Sequence, residues 1–200
     1  MHHYKIILAS RSPRRREILS ALGVSFEIVS ADADESSEET DPTRLAPALA
    51  LKKGRATRDL LVKTGKWTED TVVIAADTVV AVDGRILGKP RDEEEARAML
   101  RSLSGRSHTV VSGIALLTDR GERTAAESTG VSFTALSESD IARYVASGEP
   151  MDKAGAYAVQ GRAALWINRL DGDYFNVVGL PVHRLNELSR AFLSRDLLDL

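Results

Sequence analysis

Four arginines stand within six positions, at Arg11, Arg14, Arg15 and Arg16, directly behind the apolar run Ile6-Ile7-Leu8 and interleaved with Ser10 and Ser12. That order reads as a strand passing into a helix. Ser12 suits the N-cap and Pro13 the first helical position, where its missing N–H is an orphan anyway. Arg14 and Arg15 then fall in the first turn, at the positive end of the helix macrodipole, where cations are disfavoured. A bound anion removes that conflict. Free backbone N–H groups, the Ser10 and Ser12 hydroxyls and the guanidinium forks make a phosphate-type pocket at a strand-to-helix turn, where α/β proteins put such sites. A solvated basic helix start is the competing reading of this stretch alone.

Carboxylates complete the inventory. Asp77 closes the apolar run Val72-Val73-Ile74-Ala75-Ala76, and at a strand end such a group either caps a turn or faces a cleft. Asp32, Asp34 and Glu35 follow a second strand-like run, Val24–Val29, while Glu38, Glu39 and Asp41 read as a solvated loop. Two carboxylates at one sheet edge, facing an arginine-lined helix start, suit Mg²⁺ bound to phosphates. That ion takes one or two protein carboxylates and leaves its other positions to water and phosphate oxygens. Lys89, fixed between Gly88 and Pro90, and Lys53 on a long helix add positive charge, although either alone reads as a surface group. Phosphoanhydride hydrolysis needs this set: cations against the phosphates and a carboxylate to orient or deprotonate water.

Other chemistries lack their residues. The chain has no cysteine, which excludes disulfides, thiol nucleophiles and iron–sulfur ligation. Of its four histidines only His108 and His183 lie away from the N-terminus, without metal-ligand spacing; His2 and His3 are too few to read as a tag. Gly-x-Ser-x-Gly, Gly-x-Gly-x-x-Gly and Walker A patterns are all absent. A formal net charge of −2 and 5% aromatic residues argue against nucleic acid as the main partner. No apolar run approaches the ~20 residues of a membrane span, and no signal-peptide pattern precedes the first strand, so a cytoplasmic protein is expected.

The elements that must position these groups alternate. Strands are expected at Tyr4–Ala9, Val24–Val29, Val72–Ala76 and Thr78–Val82, the last turning at Asp83-Gly84. Helices are expected at Pro13–Leu22, from Pro42 to about Thr64 with an irregular start at Pro47, and at Glu93–Leu103 behind an Asp92/Glu95 capping pair. A long antiparallel pair, His108–Thr118 and Arg123–Leu136, turns at Asp119-Arg120-Gly121. A helix from Ser137 or Ser139 to Gly148 follows, then a strand pair Ala163–Asn168 and Asp173–Val178 around Asp171-Gly172, and a closing helix from Pro181. Two hundred residues with 43% hydrophobic content and no linker or repeat give a single domain, 1–200, of α/β class with a mixed sheet.

Six short motifs then occur in order: Ser10-x-Ser12-Pro13-Arg14-Arg15, Ala76-Asp77-Thr78-Val79-Val80, Gly88-Lys89-Pro90, Leu103-Ser104-Gly105, Asp152-Lys153-Ala154-Gly155-Ala156-Tyr157-x-x-Gln160-Gly161 and Val177-Val178-Gly179-Leu180-Pro181. Each is weak alone. Together, from Leu8 to about Leu188, the pattern resembles the Maf family of nucleoside triphosphate pyrophosphatases. The resemblance implies cleavage between α- and β-phosphates, releasing the monophosphate and pyrophosphate, with a divalent metal cation (Mg²⁺ or Mn²⁺) as cofactor and commonly a homodimer. It implies an elongated, twisted mixed sheet flanked by helices, similar to the inosine triphosphatases, with a cleft between two lobes.

Residue by residue, the resemblance makes Asp77 the proton acceptor and a metal ligand. It puts Ser10, Arg14, Arg15, Lys53 and Lys89 along the phosphate and base cleft, with Lys89 among the catalytic groups. Its acidic residue after the second strand falls at Asp34, a second metal ligand, with Glu35 next in preference. The segment carrying Lys153 and Gln160 looks like the branch acting on dTTP and UTP, and Arg15, Thr78 and Gln160 match the positions tied to that choice. A glutamine amide, both donor and acceptor, can pair with the edge of uracil or thymine. Modified pyrimidine nucleotides are further candidate substrates. A 7-methyl-GTP pyrophosphatase, a nucleotide sensor without turnover, or a nucleic-acid-binding regulator of cell division are the alternatives. Ala158-Val159 and Gly54 depart from the usual family residues.

Overall fold

The computed structural model describes residues 4–200, so His2 and His3 lie outside the described residues. A seven-stranded mixed sheet runs in the order β2-β1-β3-β5-β6-β7, with β4 paired to β3. Strand β1 (Lys5–Leu8) pairs in parallel with β2 (Glu27–Ile28) and with the start of β3 (Thr71–Val82). The rest is antiparallel: β3 with β4 (Arg85–Leu87) and with β5 (Ser107–Thr118), β5 with β6 (Gly121–Phe133), and β6 with β7 (Ile167–Asp171). The expected mixed α/β architecture is present.

Helix α2 (Pro42–Lys63) covers one face. Its Ala50 and Leu61 pack on Ile7, Val73, Ala75, Ala115 and Leu117, and its Leu45, Ala46 and Leu49 on Val79 and Val111. Asp41 caps it by accepting from the Thr43 amide at 2.8 Å, and the helix runs unbroken through Pro47. A Cβ on Gly54 would stand 2.4 Å from a Leu117 methyl, so this glycine makes room for a core leucine.

The opposite face carries two separate cores. Helices α1 (Pro13–Ala21) and α6 (Val182–Leu193) cover Ile6, Leu8, Val72, Ile74 and Ala76 at the β1 end. Helices α3 (Glu93–Leu103) and α4 (Glu138–Ala146) cover Val80, Val82, Val110 and Val131 at the other. Ala96, Met99, Leu100 and Leu103 of α3 are all buried, as their helical spacing predicts.

Four expectations need correction. The strand expected at Ala163–Asn168 begins only at Ile167, because Arg162–Leu165 forms a 3₁₀ turn that buries Ala163, and β7 runs on to Asp171. Asp77 does not end a strand: β3 runs through it for twelve residues, because its backbone pairs with Gly113 of β5 and its side chain finds a cationic partner. The 24–29 strand shrinks to two exposed residues, since Val24 and Phe26 instead pack into the first core. Asp173–Val178 is not a strand. Asp173 accepts from the Phe175 amide at 2.7 Å and caps the short helix α5 (Tyr174–Val178), which Gly179 stops with φ +121°. The apolar, β-branched run suggested a strand, but capping chemistry and burial of Asn176 decided the conformation.

Candidate active site

Strand pairing leaves a gap at one edge of β3. On that side β1 covers residues 71–74 and β4 covers 80–82, so residues 75–79 border no strand there among the described residues. Successive side chains of a strand point to opposite faces. At an open edge both faces can reach one space, and Asp77 and Thr78, though adjacent, both line a cleft of about 760 Å³. The cleft separates the β1–α1 part of the molecule from the part built on β4, α3 and the 152–159 segment. It therefore lies between two lobes, as expected.

On the α2 face, Lys53 reaches down from the helix to the Asp77 carboxylate as a direct ion pair and to Glu35 Oε1 at 3.2 Å. Asp77 is buried and Lys53 nearly so, whereas Glu35 is exposed. The neighbouring Lys52 donates to the Ser36 carbonyl at 2.6 Å, so two consecutive lysines pin the acidic loop across α2. Asp34 is turned away. Hydrogen bonds from the Ser36 side chain and from its amide, the latter at 2.9 Å, hold the Asp34 carboxyl below the ordinary range, and it is absent from the cleft wall. Of the two acidic candidates the structure brings Glu35, not Asp34, to Lys53 and the cleft. Glu35 is thus the acidic residue that shares Lys53 with Asp77, while the Asp34 carboxylate closes an Asx-type turn onto Ser36.

On the other wall, Arg15 is gripped from three sides. Its Nε donates to the Gly179 carbonyl at 2.8 Å, and its two terminal nitrogens to Ser10 Oγ at 3.3 Å and Thr78 Oγ1 at 3.1 Å. Protein atoms pack closely round the guanidinium, and this burial pulls its pKa down, opposed by the charges of Asp77 and Glu35 and reinforced by Arg14. Ser12 adopts extended N-cap angles, but its side chain does not cap α1; its amide instead donates to Ser10 Oγ at 3.2 Å. The Ser10 hydroxyl is thus the hub of the strand-to-helix turn. Arg14 also lines the cleft, and Arg11 is paired with Asp32 at its mouth.

The second lobe contributes Lys89 and Lys153. Lys89 is exposed beside Gly88, whose carbonyl accepts from the Gly155 amide at 3.0 Å and so ties the two segments together. Gly155 has φ +68° and a Cβ there would stand 3.0 Å from Val80, so this close approach requires glycine. Lys153 pairs with Asp152. Burial pushes the Asp152 carboxyl up, but the hydrogen bond and charge of Lys153, with Arg14 nearby, outweigh it and leave it below the ordinary range. Gln160 is exposed and outside the cleft wall, one residue beyond Val159, which lines it.

Several groups at the site escaped the sequence reading. Asp152 and Tyr157 line the cleft. Tyr157 is hydrogen-bonded to buried His108 at 2.7 Å. Ser112 and Asn176 hold Thr78 from behind. The one available signal was a lone asparagine and serine inside otherwise apolar runs.

The arrangement gathers arginines and lysines from both lobes opposite a carboxylate pair. Fold and site thus define an α/β protein with a cleft suited to a polyanionic, phosphate-bearing ligand. The chain belongs to the Maf family: residues 5–192 match the model described as Maf-like protein. A protein of Pelotomaculum thermopropionicum named dTTP/UTP pyrophosphatase is 50% identical over 195 residues, 94% of this chain and 96% of that one. Proteins of the same name from a Geobacillus species and from Deinococcus radiodurans are 48% and 46% identical, covering 90% and 94% of this chain and 94% and 92% of theirs. Among solved structures, the Staphylococcus aureus Ham1 protein overlaps 64% of this chain and 71% of its own at a TM-score of 0.44 and 14% identity.

Proposed function

We propose that this protein is a nucleoside triphosphate pyrophosphatase that hydrolyses dTTP and UTP to the monophosphate and pyrophosphate. The observation that carries the reading is the Lys53–Asp77–Glu35 cluster facing Ser10, Arg14 and Arg15 across one cleft, in a chain about half identical to relatives of that name. In this reading the triphosphate lies along Arg14, Arg15, Lys89 and Lys153. Asp77 orients a water and takes its proton as the water oxygen attacks the α-phosphorus. The bond from that phosphorus to the bridging oxygen breaks and pyrophosphate leaves with the electron pair. Lys53 holds the Asp77 carboxylate in place, and the cations offset charge developing on the leaving oxygen. The ordinary catalytic gain from one positioned base is about 10²- to 10⁴-fold.

A divalent cation fits the same cluster. Asp77 and Glu35 converge on one positive charge, that of Lys53. No group of three candidate ligands is present among the described residues, so phosphate oxygens and water would complete the shell, as Mg²⁺ or Mn²⁺ prefers. Bound there, the cation would neutralise phosphate charge. Thr78 lines the cleft beside Arg15, within reach of a bound nucleotide, whereas Gln160 stands outside the wall next to Val159. No helix among the described residues is long and apolar enough to cross a membrane. The cytoplasmic location and the homodimer rest on the sequence reading and the family resemblance, and the dimer is checked by sizing in solution.

Pyrophosphate release from dTTP, UTP, CTP, GTP and 7-methyl-GTP, with Mg²⁺ and with Mn²⁺, tests the reading. Preference for dTTP and UTP is expected. Preference for 7-methyl-GTP would keep the reaction and overturn the base assignment. Absence of turnover on all five would overturn the reading in favour of a nucleotide sensor.

A further inference from the structure

Between the two cores on the α1 face lies a polar layer. Ala76 and Ile114 belong to one core and Val80 and Val110 to the other; Thr78 and Ser112 occupy the positions between them. Ser112 and Asn176 are fully buried, and α5 delivers Asn176 into this layer. Its side-chain oxygen accepts from the Ser112 amide at 2.9 Å, and its side-chain nitrogen donates to the Val110 carbonyl at 3.0 Å and to Thr129 Oγ1 at 2.9 Å. The carboxamide thus binds residues two apart on β5, as a neighbouring strand's peptide would.

The hydrogens of this layer can run in one direction only. Ser112 Oγ donates to the Asn176 carbonyl at 2.9 Å, and a carbonyl can only accept. The Ser112 proton is then committed, so across the 2.8 Å contact Thr78 Oγ1 must be the donor and Ser112 the acceptor. Arg15, which has only donors, completes the line by donating to Thr78 at 3.1 Å. The order is Arg15 N–H to Thr78 O–H to Ser112 O–H to the Asn176 carbonyl. Asn176 also fixes the seat of α5, which Gly179 caps, and the Gly179 carbonyl is another of the three acceptors of Arg15.

We infer that Ser112 and Asn176 are positioning residues for substrate binding: they polarise Thr78 and aim the Arg15 guanidinium into the cleft without themselves lining it. Hydrogen bonds joined head to tail strengthen one another in a low-dielectric interior, so losing the far end loosens the near end. The inference deepens the proposed function and rests on Arg15 facing the nucleotide.

A mutant cycle tests it, with Ser112→Ala as the mildest break, because the Ser112 amide keeps its bond to Asn176. Binding of α,β-imido dTTP by calorimetry and turnover of dTTP are measured in the wild type, Ser112→Ala, Arg15→Lys and the double variant. Ser112→Ala is expected to weaken analogue binding and raise KM roughly tenfold, the scale of one hydrogen bond, with kcat within threefold. On the Arg15→Lys background the same change should cost less than twofold. Thr78→Val should reproduce the roughly tenfold loss, with no further loss on adding Ser112→Ala. Unchanged binding in Ser112→Ala, or an equal loss on both backgrounds whether or not the melting temperature falls, would overturn the inference. Wild-type protein that binds the analogue but leaves dTTP intact would instead overturn the proposed reaction and leave the cycle readable.

Discussion

Gly113 stands directly opposite Asp77 in the β3–β5 pairing, and the missing side chain of one serves the other. A Cβ on Gly113 would come within 2.1 Å of Ala46 C and Pro47 N of α2. The glycine therefore lets the helix backbone rest on the sheet beside Asp77. Two turns further along, the same helix carries Lys53, whose ammonium reaches that carboxylate. Close packing of α2 and the charge balance of Asp77 are one arrangement.

Gly113→Ala is accordingly expected to be severe. The obstructing atoms are backbone and cannot move aside as a side-chain tip would, so α2 must lift. Denaturant titration should show at least about 3 kcal/mol of lost stability, the upper end of ordinary overpacking. A loss under about 1 kcal/mol would mean that the helix does not sit this close in solution.

Asp77→Asn tests the central carboxylate. The amide keeps the shape and can still accept from Lys53, while Glu35 retains its ion pair with that lysine. The melting temperature should stay within about 4 °C, the equivalent of about 1 kcal/mol in a chain of this size. Turnover of dTTP should fall about 10³-fold with analogue binding largely kept. Retained turnover would remove Asp77 as the base.

A chelator should separate a substrate-linked metal from a structural one. No three-ligand cluster exists among the described residues, so EDTA should leave the thermal unfolding of the free protein unchanged. Turnover should drop at least about 100-fold and return on adding Mg²⁺ or Mn²⁺. A fall in melting temperature with EDTA would point to a metal holding the fold.

His108 makes stability depend on pH. Burial lowers its pKa from 6.5 to about 4, so the folded protein keeps it neutral, accommodated by Tyr157 and edge-to-face with Phe133. The unfolded chain protonates it near 6.5. Its contribution is fully present above that value and is lost as the pH falls from 6.5 towards 4, by about 3 kcal/mol at the lower end. Chemical denaturation of wild type and His108→Gln at pH 7.5, 5.5 and 4.5 would show it. The variant should lose less stability on acidification, and equal slopes would assign the acid sensitivity elsewhere.

Much was legible in the chain because it depends on neighbours in sequence. The Asp83-Gly84 turn, the capped helix 93–103 with its apolar spacing, the basic strand-to-helix turn at Ser10–Arg15 and the six ordered motifs are all local patterns, and each element stands where its pattern put it. The reading failed where a distant partner decided. Asp77 looked like a strand terminator until Gly113 paired with it and Lys53 met its charge. Asp173–Val178 had strand propensity, yet a buried amide and a cap made it a helix. Glu35 meets Lys53 while Asp34 turns to Ser36, a placement that the order of two adjacent acidic residues does not fix. Sequence alone determined which chemical groups the protein possesses and the order in which strands and helices present them. Only the tertiary structure decided which of those groups share one cleft, because hydrogen bonds, ion pairs and close packing between residues far apart in the chain, from 24 positions for Lys53–Asp77 to 164 for Arg15–Gly179, leave no periodicity for a linear reading to find.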